Sequence, residues 1–496
     1  MSTAAARLLL AAGCLLAVAA QATVVYRCES ADGRLHFGDS RVPGARCTVI
    51  PGTEQPVPAS PAGVPAAPAV PATPAAPAQA PGSPQPGPDP AAYAFLRLQA
   101  NALQAEGRAA LETLAALTGL TGLAAQARPA AASGLAPGRR LSVLHFGDSH
   151  VHSGHVVQSL REHLQQALGA AGRGMVFPAS IARTYAQNDL QSSFEGRWTS
   201  ASSVQQPPRL PLGVSGFVAH NADPRASFTL RFSRPLPPGT DTVKVFFGVS
   251  SPWHRLIVSS GEHQQSTNLD FAPGTAPPFV ALRLPAMTST VRVDLLNVSS
   301  EPAVFELHGV SLEAEAARAG VLVHNLGVGG SGFAALEQQQ RFEPQFAALE
   351  PDIVLLDWGT NDIIDRERVG PGHADLVART VRRIRAVRPQ AVIVLTSVQD
   401  MLPRGRRAPP AAAYARLMRE LAARHGCLFY DWHEVAGGEG AMVQWRQAQL
   451  AQPDGVHLSA AGYRLKGRLL AEALLRALGA WGEPPARPAG GVPARS

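Results

Sequence analysis

Four stretches of this chain are apolar almost without interruption: "LSVLHF" at 141–146, "VLVHN" at 321–325, "DIVLLDW" at 352–358 and "AVIVLT" at 391–396. A strand with one wet face alternates polar and apolar residues. A run that does not alternate is covered on both faces, which is the condition of a parallel sheet between helices. The segments between the runs supply those helices. Val156, Leu160, Leu164 and Leu168 fall on one face behind the first run, and helical patterns occupy 373–388, 411–425 and 460–479. The pattern predicts an α/β layered domain built from residues 138–189 and 316–482.

Between 190 and 315 the pattern changes. "SFTLRFS", "DTVKVFFGV", "HRLIVSS", "FVALRL", "TVRVDLL" and "AVFELHGV" follow one another with turns between and no helical period. This predicts an antiparallel β-sandwich at 190–315, inserted after the first βα unit of the parallel sheet. Such an insertion is tolerated when its two ends lie close together at the surface.

The front of the chain is of another kind. Residues 1–22 read as a secretory signal: Arg7, then the apolar "LLLAAGCLLAVAA", then "AQA" before Thr23. Lipidation at Cys14 is the competing reading, against which the apolar run continues past that residue. No later stretch is long enough to span a bilayer. Residues 23–49 read as a small β unit, with "VVYRC" and "RLHFG" on either side of the turn "ADG". Cys28 and Cys47 bracket this unit, which has little core of its own, so a disulfide is expected in an oxidising compartment. Ser40, in "FGDS", precedes no helical pattern and reads as a turn residue. Cys427 lies in the apolar "GCLFYDW" and reads as a buried free thiol. Residues 50–92 repeat Pro and Ala with almost no charge, the composition of a disordered, extended linker. Leu96, Leu103, Leu111, Leu114 and Leu117 recur at helical intervals, which predicts a helical lead-in over 93–137. A disordered tail is expected at 483–496. The formal charge of +7 favours anionic surfaces or polymers as partners. The basic residues are scattered and match no nucleic-acid module, so nucleic acid is not expected as a partner.

Chemistry concentrates at the ends of the apolar runs. The first ends in Gly147-Asp148-Ser149 with a helix opening behind it, either a plain turn or a serine held up for attack. A serine hydroxyl needs a positioned base. In "QPDGVHLS", Asp454 and His457 are three residues apart, a spacing that lets the carboxylate hold Nδ1 while Nε2 faces the serine. The same spacing also occurs at ordinary helix starts. Acyl transfer further requires donors for an oxyanion. "HNLGVGGSGF" (324–333) offers the Gly330 backbone N–H and "WGTND" (358–362) the Asn361 amide, each following a strand, where α/β sheets bind ligands.

In this order, Gly147-Asp148-Ser149, "NLGVGG", Gly359-Thr360-Asn361-Asp362 and "DGVHLS" resemble the SGNH (GDSL) hydrolase superfamily. The resemblance implies a flavodoxin-like α/β/α three-layer sandwich with a parallel sheet, and a serine esterase using no cofactor. It also implies Ser149, His457 and Asp454 as catalytic residues and Ser149, Gly330 and Asn361 as the oxyanion hole. "FGDSHVHSGHVVQSLREHL", "GRGMVFP" and "GEGAMVQWRQAQLAQPDGVHLSAAGY" are similar to bacterial peptidoglycan O-acetylesterases of the periplasm, which carry an inserted carbohydrate-binding-like β domain. Those enzymes remove acetyl from the C6 hydroxyl of N-acetylmuramic acid. Peptidoglycan or another O-acetylated glycan is then the expected partner. Asp357 and Trp358 depart from the pattern, being bulkier and more polar than that block ordinarily has.

His145, His150, His152, His155 and His163 crowd the first block. A zinc site needs ligands that converge, whereas one of these is on the strand and the others on the turn or helix, so no metal is expected. His150 reads as lining the pocket. Arg404, Arg406 and Arg407 lie in a loop after a sheet strand, either simply solvated or contacting carboxylates of an anionic glycan. Of Trp198, Trp253 and Trp445, the last, close to the Asp454 loop, is a candidate to stack on sugar. Two other functions compete: an acetyltransferase with this triad, and a non-catalytic wall-binding protein in which the linker, front domain and β insert do the work, for which a triad would be superfluous.

Overall fold

The structure, a computed structural model, describes residues 26–29, 35–38, 46–49 and 88–479, apart from 106–108, 118–138, 206, 251–253, 273, 299–303, 316–318 and 404–407. The signal, most of the linker, the tail, Cys14 and Ser40 fall outside the described residues. So do Trp253, Arg404, Arg406 and Arg407. Among the described residues no helix is long and apolar enough to cross a membrane.

Strands β1 (Tyr26–Glu29), β2 (Leu35–Gly38) and β3 (Arg46–Val49) form an antiparallel sheet with β1 in the middle, and their register sets Cys28 opposite Cys47. The lead-in departs from the helical expectation. Among its described residues it holds a short 3-10 turn at Leu98–Ala100, then β4 (Leu103–Gln104) and one helix, α1 (Ala109–Ala116), with another 3-10 turn just ahead of the lead-in at Pro90–Ala92. Tertiary bonds override the leucine spacing. The Arg97 N–H donates to the Val435 carbonyl at 3.1 Å, and Tyr430 Oη donates to Asn101 Oδ1 at 3.0 Å. The segment therefore runs extended along the domain, and Leu96 and Leu103 are buried without a common helix.

The main sheet grows outward from β5 (Arg140–Gly147). Behind it come α2 (Ser149–His152), α3 (His155–Leu168) and β6 (Gly172–Val176). After the inserted segment the sheet resumes with β17 (Gly320–Gly327), β18 (Ile353–Asp357), β19 (Val392–Thr396) and β20 (Leu428–Tyr430), in the spatial order β17-β5-β18-β19-β20-β4. All pairs are parallel except that of β20 with β4, so the sheet is mixed at one edge. Gly147 is in register with Gly327 on one side and Asp357 on the other. Three adjacent strands thus end at one level, and the loops that follow them open on the same edge. Further helices include α4 (Thr360–Ile363), α5 (His373–Val387), α6 (Ala411–Arg424), α7 (Ala441–Gln447) and α8 (Ala460–Ala477). Val143, Val323 and Leu355 pack with α3 and α8, whereas Leu144, Phe146, Val354 and Leu356 pack with α5 and α6. The central strands are therefore apolar at successive positions.

The inserted segment runs through β7 (Leu190–Glu195), β8 (Thr199–Ser202), β9 (Phe217–Asn221), β10 (Arg225–Phe232) and β11 (Thr242–Ser250). It continues with β12 (His254–Ser260), β13 (His263–Leu269), β14 (Phe279–Arg283), β15 (Thr290–Asn297) and β16 (Phe305–Glu313). Two antiparallel sheets, β13-β12-β15-β10-β7 and β14-β11-β16-β9-β8, enclose a core that includes Phe228, Val245, Phe247, Val258, Val293 and Leu307. The second sheet also takes in β6, upstream of residue 190, with Val176 opposite Val310. Gly174 makes this possible. It sits at φ +83°, where a Cβ would meet the Val323 carbonyl oxygen of β17 at 2.2 Å. Only glycine lets β6 lie this close to the main sheet while bonding to the inserted one.

Candidate active site

Ser149 is the first residue of α2, directly beyond β5. Asp148 caps that helix by accepting from the His150 N–H at 2.9 Å. Ser149 Oγ lies 2.9 Å from His457 Nε2, and His457 Nδ1 lies 2.7 Å from Asp454 Oδ2. Asp454 Oδ1 accepts the backbone N–H groups of Val456 and His457 at 2.9 and 3.0 Å, so the carboxylate both closes its own loop and aims the imidazole. Desolvation opposes charge on Asp454, but the His457 imidazolium and those N–H groups outweigh it and bring the carboxyl down to about 2. At His457 desolvation lowers the pKa, yet the Asp454 charge and hydrogen bond prevail and hold it above the usual histidine value. Such a row can take a proton from a serine hydroxyl and return it to a leaving group.

A group that must be neutral to accept that proton fixes the pH dependence. Lowering the pH through the His457 pKa converts it to imidazolium and removes the base. The acid limb of kcat/KM is therefore expected to have its midpoint above 6.5, the ordinary histidine value. Asp454→Asn should move that midpoint downward as well as slow turnover. A pH–rate profile flat down to pH 5 would contradict the assignment of His457 as base.

The Gly330 and Asn361 loops meet this row from the two neighbouring strands. Gly330 has φ +83°, which turns its peptide away from the strand. Among the described residues neither its N–H nor that of Ser149 has a backbone partner. Asn361 Nδ2 donates to the Ser331 carbonyl at 2.8 Å, which fixes the amide and leaves its second N–H for a ligand. Ser331 Oγ in turn donates to the Gly147 carbonyl at 3.1 Å and accepts from Trp358 Nε1 at 3.0 Å. The three loops are tied together.

That bond accounts for Trp358, and Asp357 has a partner of its own. Lys466 Nζ, buried on α8, lies 2.8 Å from Asp357 Oδ2, while His145 Nε2 donates to the same oxygen at 3.1 Å and Thr396 Oγ1 donates to Oδ1 at 2.8 Å. Desolvation would raise this carboxyl, but the ammonium and the His145 hydrogen bond hold it well below the usual carboxylate range. The pair pins α8, which follows the His457 loop, to the strand that leads into the Asn361 turn. Removing one partner of a buried pair is expected to cost about 3–5 kcal/mol. Lys466→Ala should lower the unfolding free energy by that amount, as read from denaturant midpoints at unchanged slope.

Other expectations need correction. His150 does not line a pocket: it is 2% exposed. Its ring stacks on His457 with centroids 5.1 Å apart, and its nitrogens meet Tyr463 Oη at 3.0 Å and Gln399 Nε2 at 3.3 Å. Burial drives its pKa far down, so a neutral ring backs the catalytic-type imidazole. Trp445 is buried against Phe95 and Trp432 and donates to the Ala436 carbonyl at 2.7 Å, so no face is left for sugar. Trp198 is likewise buried. The histidines of the first block have separate partners, His145 on Asp357 and His163 on the Ser159 carbonyl, with His152 accepting from the Gly329 N–H. Lys466, Gln399 and Tyr463 were not singled out in the sequence; a lone lysine inside the otherwise apolar helix face of 460–477 was the only signal.

Residues 309–465 match the GDSL-like lipase/acylhydrolase family. The matched span omits Ser149, which the inserted strands separate from the other blocks. A solved structure of a peptidoglycan O-acetylesterase is similar over 69% of this chain and 92% of its own, with a TM-score of 0.54 at 23% identity. An acetylxylan esterase from Geobacillus stearothermophilus is similar at 24% identity over 32% of this chain and 73% of its own, with a TM-score of 0.25. A family two carbohydrate esterase from Cellvibrio japonicus is similar at 12% identity over 58% of this chain and 98% of its own, with a TM-score of 0.24. No curated protein matches the sequence. The chain thus carries, over 309–465, a segment that matches the GDSL-like lipase/acylhydrolase family, in a fold similar to that of a solved peptidoglycan O-acetylesterase.

Proposed function

We propose that this protein removes O-acetyl groups from cell-wall glycan, specifically from the C6 hydroxyl of N-acetylmuramic acid in peptidoglycan. The observation that carries the reading is the hydrogen-bonded row Ser149–His457–Asp454 beyond β5, whose two flanking strands lead into the Gly330 and Asn361 loops, in a fold similar to that of a peptidoglycan O-acetylesterase. Ser149 Oγ attacks the acetyl carbonyl carbon as its proton passes to His457 Nε2. The carbonyl electron pair becomes an oxyanion held by the N–H groups of Ser149 and Gly330 and by the Asn361 amide. Collapse breaks the bond to the sugar oxygen, which leaves with the proton from His457. Water, deprotonated by His457, then attacks the acetyl-serine, acetate departs and Ser149 recovers its proton. The reaction needs no metal or cofactor.

Export to the periplasm of a Gram-negative cell completes the proposal, supported by the leader at 1–22 and by the juxtaposition of Cys28 and Cys47 across β1 and β3. Mass mapping of protein recovered from the envelope should find Cys28 joined to Cys47 and Cys427 reduced. Finding both front cysteines free would sink this part. The decisive assay measures acetate release from O-acetylated peptidoglycan beside release from acetylated xylan. Preference for xylan would overturn the glycan assignment, and acetyl transfer to an added sugar without free acetate would overturn hydrolysis.

A further inference from the structure

We infer that His152 is a positioning residue through which the inserted β domain holds the oxyanion loop in place. This rests on the reading of the Gly330 N–H as an oxyanion donor and adds a role that the reading does not contain. His152 closes α2, one helical turn after Ser149. Its Nδ1 accepts the N–H of Gly329, the residue before Gly330, at 2.9 Å. The ring makes a second hydrogen bond, to the Tyr185 backbone. A neutral imidazole carries one N–H, so donation to Tyr185 leaves Nδ1 as the acceptor that Gly329 requires. Desolvation pushes the His152 pKa down to about 4, which keeps that lone pair available at neutral pH.

The faces of the same ring meet the inserted domain and the segment leading to it. Tyr185 stacks on it with centroids 4.2 Å apart, and Phe217 of β9 meets it edge-on at 5.7 Å. Tyr185 also roofs Gly329, where an added Cβ would fall 2.6 Å from the phenol oxygen. On the other side of the loop Val328 is 4% exposed and belongs to the core of the inserted sandwich, not to that of the main sheet. Its Cγ2 lies where a Cβ on Gly216 would be only 2.7 Å away. The loop "LGVGG" is thus gripped twice: Val328 is anchored in the insert, and Gly329 is hydrogen-bonded to a ring wedged between α2 and the insert. The Gly330 N–H can hold its aim on the Ser149 side only while both grips last. On this account the insert belongs to the chemical machinery, whatever glycan its outer surface meets.

Two variants of the full chain test this. His152→Leu fills the space but offers no acceptor. Displacing a catalytic group by an ångström can cost about a hundredfold, so kcat is expected to fall about that much. KM should stay within about twofold, because the oxyanion forms only after attack. Inhibition by an alkylboronic acid, which mimics the tetrahedral adduct, should weaken in parallel. His152→Asn places an amide oxygen near the Nδ1 position and should recover most of kcat. If Leu and Asn behave alike, or if only KM moves, the proposal fails. Should His152→Leu not fold, Phe217→Leu, which removes the edge contact and keeps an apolar core residue, should lower kcat alone; unchanged kcat there overturns the proposal too. A slow Asn361→Ala enzyme beside a fully active His152→Leu enzyme would leave the oxyanion reading standing and reject this one. Full activity in Asn361→Ala would reject the underlying reading instead.

Discussion

Ser149→Ala is expected to reduce acetate release to background while leaving the fold unchanged. The alanine removes the one atom that becomes bonded to the acetyl group. Nothing structural leans on that oxygen, whose hydrogen-bond partner is His457 Nε2. Losing the nucleophile of a triad costs roughly 10⁴- to 10⁶-fold in kcat, and members of a triad act as one unit. His457→Ala should therefore be about as damaging, and the double variant little worse than either. The check is turnover of a simple acetyl ester and of O-acetylated peptidoglycan, with circular dichroism to show that the variants are folded. Near-normal turnover in a folded Ser149→Ala protein would mean that the site has been misplaced.

Asn361→Ala is expected to lower kcat about a hundred- to a thousandfold, roughly 3–4 kcal/mol of transition-state stabilisation, with little change in KM. The backbone donors of Ser149 and Gly330 cannot be removed by substitution, so Asn361 is the accessible member of the set. Its amide is already oriented by the bond to the Ser331 carbonyl at 2.8 Å, so no rotamer search precedes catalysis. Asn361→Asp should be at least as harmful, since it would set a carboxylate against that carbonyl and against the developing oxyanion. A variant with normal kcat and a raised KM would show that Asn361 binds substrate.

How much of this was legible depended on how local the cause is. The strands at 140–147, 320–327, 353–357 and 392–396 and the helices at 373–387, 411–424 and 460–477 were visible because burial on both sheet faces, or on one helix face, writes itself into consecutive residues. β13, "HQQSTNL", was missed because it is a polar, largely exposed edge strand held by its ladder to β12. Of the leucines before 118, Leu111 and Leu114 do lie on α1, whereas Leu96 and Leu103 are buried outside any common helix and only their spacing mimicked one. At the site, Ser149, Asp454 and His457 stood out because blocks of sequence carry them. The pairing of Asp357 with Lys466 is 109 residues long, and the hold of His152 on Gly329 spans 177. Neither leaves a local pattern. Asp357 and Trp358 nevertheless registered as anomalies, and each has a buried polar partner.

β6 has a consequence for how this protein comes apart. Gly172–Val176 is joined by its chain to the serine-bearing segment, yet its hydrogen-bond ladder lies in the inserted sheet. A domain that is merely tethered melts by itself, whereas units that share a strand form one cooperative block. Heating should therefore produce a single transition for residues 139–479, without a partly molten state that keeps the hydrolase and loses the sandwich. Descent is bound by the same geometry. Excising the insert at its apparent ends would strand an unpaired edge beside β17, with Gly174 pressed against it, so host and guest can vary only together.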